Sequence, residues 1–181
     1  LKEARTIAAH AQFKGTIQDV GGPTANMYGF ECTRKTDGKG CCPDMRCLHP
    51  RVCAALGIDH GPQLKLLRKL RKIPGVKRVV VASGIRHDMV VADERHGDKY
   101  LREVVAHHVS GRMKIAPEHS EDAVLARMGK PGRASLLAFR DRFYALTKRL
   151  GKKQYLTYYL IAAHPGCEEK DMRALRRFCS D

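Results

Sequence analysis

The sequence predicts an α/β fold of about four parallel strands with flanking helices, interrupted by a Cys-rich insert. Three observations lead there. Strand-like and helix-like segments alternate along the chain, which implies a parallel sheet with right-handed crossovers. Between residues 30 and 60 periodicity disappears, and five of the seven cysteines crowd into Cys32 to Cys53. Only four segments read as strands, whereas a closed parallel barrel needs eight. At 181 residues, 43% of them hydrophobic, one domain with a sizeable core is the default. It would span 1–181, with 30–60 as an insert within it.

The residues up to Gln12 are Ala-rich and suit a helix. Thr16 to Val20 alternates like a short strand and runs into Gly21-Gly22-Pro23. After the insert, Leu64, Leu67, Leu70 and Ile73 share one helical face, with Lys65, Arg68, Lys69 and Lys72 opposite, until Pro74-Gly75 stops the helix. Val76 to Ala82 reads as a strand buried on both faces. Asp98 is the expected cap of a helix carrying Leu101, Val104, Val105 and Val109, ended by Gly111. Met113 to Ala116 is a short strand, and Ser120 the expected cap of a helix over Glu121 to Met128. A longer helix aligns Phe139, Phe143, Leu146 and Leu150. Gln154 to Ile161 is the last strand, and Asp171 to Phe178 the last helix.

Lys and Arg number 34 against 19 Asp and Glu, a formal charge of +15. Such a balance suits an acidic partner such as nucleic acid, and it equally suits a solvated surface. No apolar run approaches a membrane span, and the N-terminus lacks a signal-peptide layout. An odd number of cysteines without a secretory signal argues against a disulfide framework and for a metal site in the reducing cytoplasm. The spacing Cys32-x9-Cys42-x4-Cys47-x5-Cys53 offers four thiolates for zinc or an iron–sulfur cluster, with Cys41 beside Cys42. His49 and His60 could each replace one sulfur. Unliganded, reduced cysteines in a loop are the plain alternative. Cys167 and Cys179 are isolated and read as ordinary residues.

In parallel α/β folds ligands bind at the carboxyl ends of strands. All four strand ends carry unusual residues here: Gly21-Gly22-Pro23, Ser83 to Asp88, Lys114 to Ser120, and Ala163-His164-Pro165-Gly166. Paired glycines let a ligand approach the backbone, and Arg86 offers a guanidinium able to grip a carboxylate. His87-Asp88, His107-His108 and Glu118-His119 are candidate acid–base groups, with the helical pair His107-His108 read as structural. Neither a Gly-x-Ser-x-Gly elbow nor a P-loop occurs.

Five segments then carry a resemblance: Phe13 to Tyr28, Ala82 to Asp88, His107 to Gly111, Lys114 to Glu121, and Gly151 to Gly166. Together they resemble the YgiQ-type family of radical S-adenosylmethionine (SAM) proteins over nearly the whole chain. The resemblance implies a partial (β/α) barrel of about six strands. It implies a 4Fe–4S cluster held by a Cys-x3-Cys-x2-Cys loop, and SAM bound to that cluster and cleaved reductively to a 5′-deoxyadenosyl radical. Gly21 and Gly22 match the family's Gly-Gly pair, which touches the SAM amino group through the backbone. Pro23 replaces the acidic residue that often follows. Ser83, Arg86, Lys114, Glu118 and His164 occupy the later strand ends, where ribose, carboxylate and adenine are contacted.

The Cys-x3-Cys-x2-Cys motif is absent from these residues. The first strand and its cluster loop are therefore expected upstream of Leu1, and at least one closing strand downstream of Asp181. Such a middle fragment is expected to be inactive alone and to self-associate through its exposed strand edges, Thr16 to Val20 and Tyr155 to Ile161. A possible second cluster or zinc site at the insert goes with this reading. The substrate and every catalytic residue stay unassigned. A basic, zinc-containing nucleic-acid-binding module is the alternative.

Overall fold

The computed structural model describes residues 1–22 and 24–180. Pro23, singled out at the glycine loop, lies outside the described residues. In chain order the first elements are α1 (Lys2–Ala8), β1 (Thr16–Ile17), β2 (Glu31–Cys32), α2 (Thr33–Thr36), β3 (Leu56–Gly57), α3 (Gly61–Leu70) and β4 (Arg78–Val79). There follow α4 (His87–Ala92), α5 (Gly97–His107), β5 (Arg112–Glu118), α6 (Asp122–Arg127), α7 (Arg133–Arg149), β6 (Tyr155–Leu160) and α8 (Glu169–Ser180).

Among the described residues the strands form three two-stranded sheets and no closed barrel. β1 runs parallel to β4, with Thr16 opposite Arg78 and Ile17 opposite Val79. β5 runs parallel to β6 from Arg112–Tyr155 to Ile115–Tyr158, then shifts register before Glu118–Leu160. Pro117 sits in the shift. It has no N–H to give the ladder, and Glu118 beyond it takes a φ of 71°. A parallel bridge from Ile85 to Ile115 and a hydrogen bond from Val81 N–H to the His108 carbonyl (3.0 Å) join the two parallel pairs. β1, β4, β5 and β6 therefore lie side by side in chain order.

The apolar periodicities become the core. Leu67 and Leu70 of α3, Tyr100, Leu101, Val104 and Val105 of α5, and Phe139 and Phe143 of α7 are buried together with Val79, Val81 and Ile115. Along β5, Met113 and Ile115 point inward while Arg112 and Lys114 are exposed, as a pleated strand requires.

Several expected boundaries differ. The strand expected over Val76 to Ala82 keeps a ladder of only two residues, although Val80 N–H still reaches the Ile17 carbonyl at 3.0 Å. Asp98 is not the cap of α5. His96 holds that position, and Asp98 lies in the first turn, where a carboxylate suits the helix dipole. Gly97 starts this helix because a Cβ would run into the Val90 carbonyl oxygen. Ser120 likewise is not the cap of α6; Glu121 is. The helix α4 was not expected. His87 to Val90 are all buried, so no polar face exposes a helical period. Within the insert, β2 pairs antiparallel with β3, pinning the two ends of the Cys-rich loop together.

Candidate functional site

The glycine loop after β1 is fastened to the segment after β4 by polar side chains. Asp19 accepts the N–H groups of Ala82 (2.8 Å) and Ser83 (3.1 Å), and the Ser83 hydroxyl as well. Burial pulls the Asp19 carboxyl upward, but the bonds from Ser83 and Ala82 and the charge of Lys114 together hold it below the usual carboxylate range. Ala25 N–H donates to the Gly84 carbonyl at 3.0 Å. The Asn26 side chain then copies a strand pairing: it accepts the Arg86 N–H (2.7 Å) and donates to the Arg86 carbonyl (3.0 Å). Two strand ends thus form one rim.

A cavity of about 650 Å³ opens on this rim, lined by Asp19, Gly21, Gly22, Thr24 and Gln63, with Ile7 of α1 on its apolar side. A Cβ at Gly21 would lie 2.7 Å from the Ala25 Cβ, whereas one at Gly22 would meet nothing within 4 Å. Gly21 is therefore needed by the loop itself, and Gly22 leaves backbone uncovered. Gln63 is buried, gives its amide hydrogen to the Ala25 carbonyl, and keeps an unpartnered Oε1.

Thr24 also borders a smaller cavity of about 200 Å³, with Gly84, Arg86, His87, Glu118 and Lys130. The buried His87 ring leaves Nε2 without a partner, and burial lowers its pKa to about 4. Glu118 pairs with Lys130 at 3.0 Å.

The candidate residues fall into four groups. Gly21 and Gly22 line the large cavity, and Arg86 and Glu118 the small one. Ser83 stands behind the rim with its hydroxyl committed to Asp19. Lys114 is exposed, and His164 sits half-buried beyond β6 with Nδ1 near the Pro165 carbonyl (3.0 Å); neither lines these two cavities. The Arg86 guanidinium is not presented freely. Its Nε and Nη2 grip Asp88 at 3.0 and 2.6 Å, because α4 brings that carboxylate back against it.

A second polar chain, not legible in the sequence, ties the insert to the same rim. The fully buried His60 gives its Nδ1 hydrogen to Asp93 (2.8 Å) and accepts the Asn26 amide at Nε2 (3.0 Å). Asp93 also accepts the backbone N–H groups of His60 (2.8 Å) and His96 (2.8 Å). Burial outweighs Asp93 and keeps His60 below its ordinary pKa. His60 is thereby fixed inside the fold and does not serve as a substitute for a thiolate.

Cys167, read as ordinary, lies with its sulfur 3.7 Å from His119 Nε2. His119 Nδ1 accepts the Glu121 N–H (3.1 Å), so the hydrogen sits on Nε2 and points at the sulfur. Desolvation, with Asp171, pushes this thiol upward, the opposite of an activated nucleophile.

In the insert, Cys32, Cys41, Cys42 and Cys47 line a cavity of about 460 Å³. Among the described residues no three His, Cys, Asp or Glu side chains stand together as a ready ligand set, so Cys32, Cys42, Cys47 and Cys53 do not converge in this conformation. On α3, the expected basic face is partly neutralised, since Arg68 and its neighbour Arg71 bind Glu103 at 2.9 and 2.7 Å. Among the described residues no helix is long and apolar enough to cross a membrane.

The chain is similar along its whole length to proteins named UPF0313. It is 53% identical over 180 residues to one of Fusobacterium nucleatum, covering 99% of this chain and 32% of that relative. It is 46% identical over 181 residues to one of Methanosarcina mazei, and 42% identical over 181 residues to one of Clostridium perfringens, covering all of this chain and 28% and 27% of those relatives. The chain thus spans about a third or less of the relatives it matches. No family model and no solved structure matches it.

Proposed function

We propose that the chain is the SAM-binding middle of a radical SAM catalytic domain, a slice of a partial (β/α) barrel. The reading rests on the stitched rim, where the loops after β1 and β4 share hydrogen bonds and the Gly22 backbone faces a cavity of about 650 Å³. The resemblance of Phe13 to Tyr28 and of the later strand ends to that family supports it, as does the family's habit of binding at strand ends. When bound beside a reduced cluster, SAM supplies a 5′-deoxyadenosyl radical for hydrogen abstraction from a substrate. The chain offers no Cys-x3-Cys-x2-Cys loop for that cluster, so its own part is to bind and orient SAM.

The residues present fit that task. Gly22 lets the amino acid part of SAM approach the backbone without meeting a side chain. Gln63 lines the same cavity, and its unpartnered Oε1 is an acceptor suited to an ammonium. Asp19 adds negative charge beside it while holding Ser83 in place. In the adjoining cavity, burial keeps His87 neutral, with its Nε2 unpartnered beneath the cavity wall.

Gly22→Val tests this directly, because the new side chain enters open space and leaves the fold intact. SAM affinity measured by calorimetry should fall by roughly tenfold or more, about 1.4 kcal/mol. In a chain of the relatives' length, 5′-deoxyadenosine release under reducing conditions should fall with it. Equal SAM binding by wild type and variant, or none by either, would remove the assignment.

A further inference from the structure

The Cys-rich loop lines a cavity that shares no residue with the one at the glycine loop. Between α2 and β3, residues 37–55 contain neither helix nor strand. Their interior is poor in apolar material: Met45 is 72% exposed, and Lys39, Asp44, Arg46 and Arg51 are exposed too. A loop of this length without secondary structure or a core of its own needs a cross-link to be ordered. What the loop does have is sulfur.

Backbone hydrogen bonds already bring the relevant positions side by side. Cys32 pairs with Leu56 across the β2–β3 ladder, Leu56 N–H donates to Cys53 (3.0 Å), and Cys53 N–H donates to Cys47 (2.8 Å). Cys42 lies on the same cavity as Cys32 and Cys47. Exposure separates the five cysteines of the loop: Cys32, Cys42, Cys47 and Cys53 are half-buried, and Cys41 is exposed. Lys35 lines the cavity, and Arg34, Lys39, Arg46 and Arg51 stand in the same insert.

We infer that Cys32, Cys42, Cys47 and Cys53 form a tetrathiolate metal site around which residues 37–55 order, and that Cys41 is not a ligand. Four thiolates bind zinc or an iron–sulfur cluster, and both need this same ligand set. Ligation removes the four thiol protons and draws the stretch from Cys42 to Cys47 across the cavity. The net negative charge of the loaded site is met by the surrounding lysine and arginine side chains.

The test uses the 181-residue chain purified without oxygen, with zinc, iron and acid-labile sulfide measured on wild type and single Cys→Ser variants. Wild type and Cys41→Ser should carry about one equivalent of zinc, or iron with matching sulfide. Cys42→Ser, Cys47→Ser and Cys53→Ser should each lose roughly tenfold or more of the metal. Where such a variant misfolds, wild type alone still decides: chelation should expose Lys39 and Arg46 to trypsin, and cobalt(II) should restore protection with the absorption of a tetrahedral thiolate complex. Metal-free wild type that cobalt(II) does not protect, equal loss from Cys41→Ser, or a native disulfide among the four cysteines would overturn the site.

Discussion

His87 shows how one buried side chain sets a pH dependence. The ring is 3% exposed, and burial lowers its pKa to about 4 from 6.5. Below pH 6.5 the unfolded chain takes up a proton that the folded chain refuses, so stability falls as pH drops toward 4 and this contribution levels off beneath it. The shift corresponds to about 3 kcal/mol at most. His87→Phe should flatten that part of the profile, read as the change in urea midpoint between neutral pH and the lower end of that window; an unchanged slope would show that His87 protonates freely. Asp93 makes a sharper case. Replacing it by Ala orphans the His60 ring and the N–H groups of His60 and His96, and should cost about 3 kcal/mol or more in chemical denaturation.

At the scale of elements, the two outer strands are protected unequally. β1 shares its cavity with Ala4 and Ile7 of α1. β6 is covered on one face by α8, through Tyr158 and Phe178 with ring centroids 5.7 Å apart, yet Tyr155, Tyr159 and Ile161 are 60%, 52% and 42% exposed. An uncharged strand edge of aromatic and branched residues is a template for another chain. Sedimentation velocity of the chain should therefore show concentration-dependent association, and Tyr155→Lys with Tyr159→Lys should shift it to monomer. A monomeric wild type at high concentration would show this edge to be adequately blunted. Within the core, Phe139→Ala should cost about 3–5 kcal/mol, since its ring is fully buried against Phe143 and His87.

For the molecule as a whole, the 181 residues should release no 5′-deoxyadenosine from SAM under reducing conditions, because they hold no Cys-x3-Cys-x2-Cys loop. Product detected by mass spectrometry from this chain alone would sink the proposed division of labour. The helical stripes Leu64, Leu67, Leu70 and Phe139, Phe143, Leu146 are legible in the sequence, because each is a burial pattern that a single element imposes on its own residues. The tertiary structure alone decided what joins them. Asn26 meets Arg86 across 60 positions, Asp19 meets Ser83 across 64, and His60 meets Asp93 across 33. It also turned Arg86 onto Asp88, buried His87 to Val90 of α4, and left the four insert cysteines unconverged. Polar partners at such separations depend on which elements become neighbours, and a one-dimensional period carries no record of that.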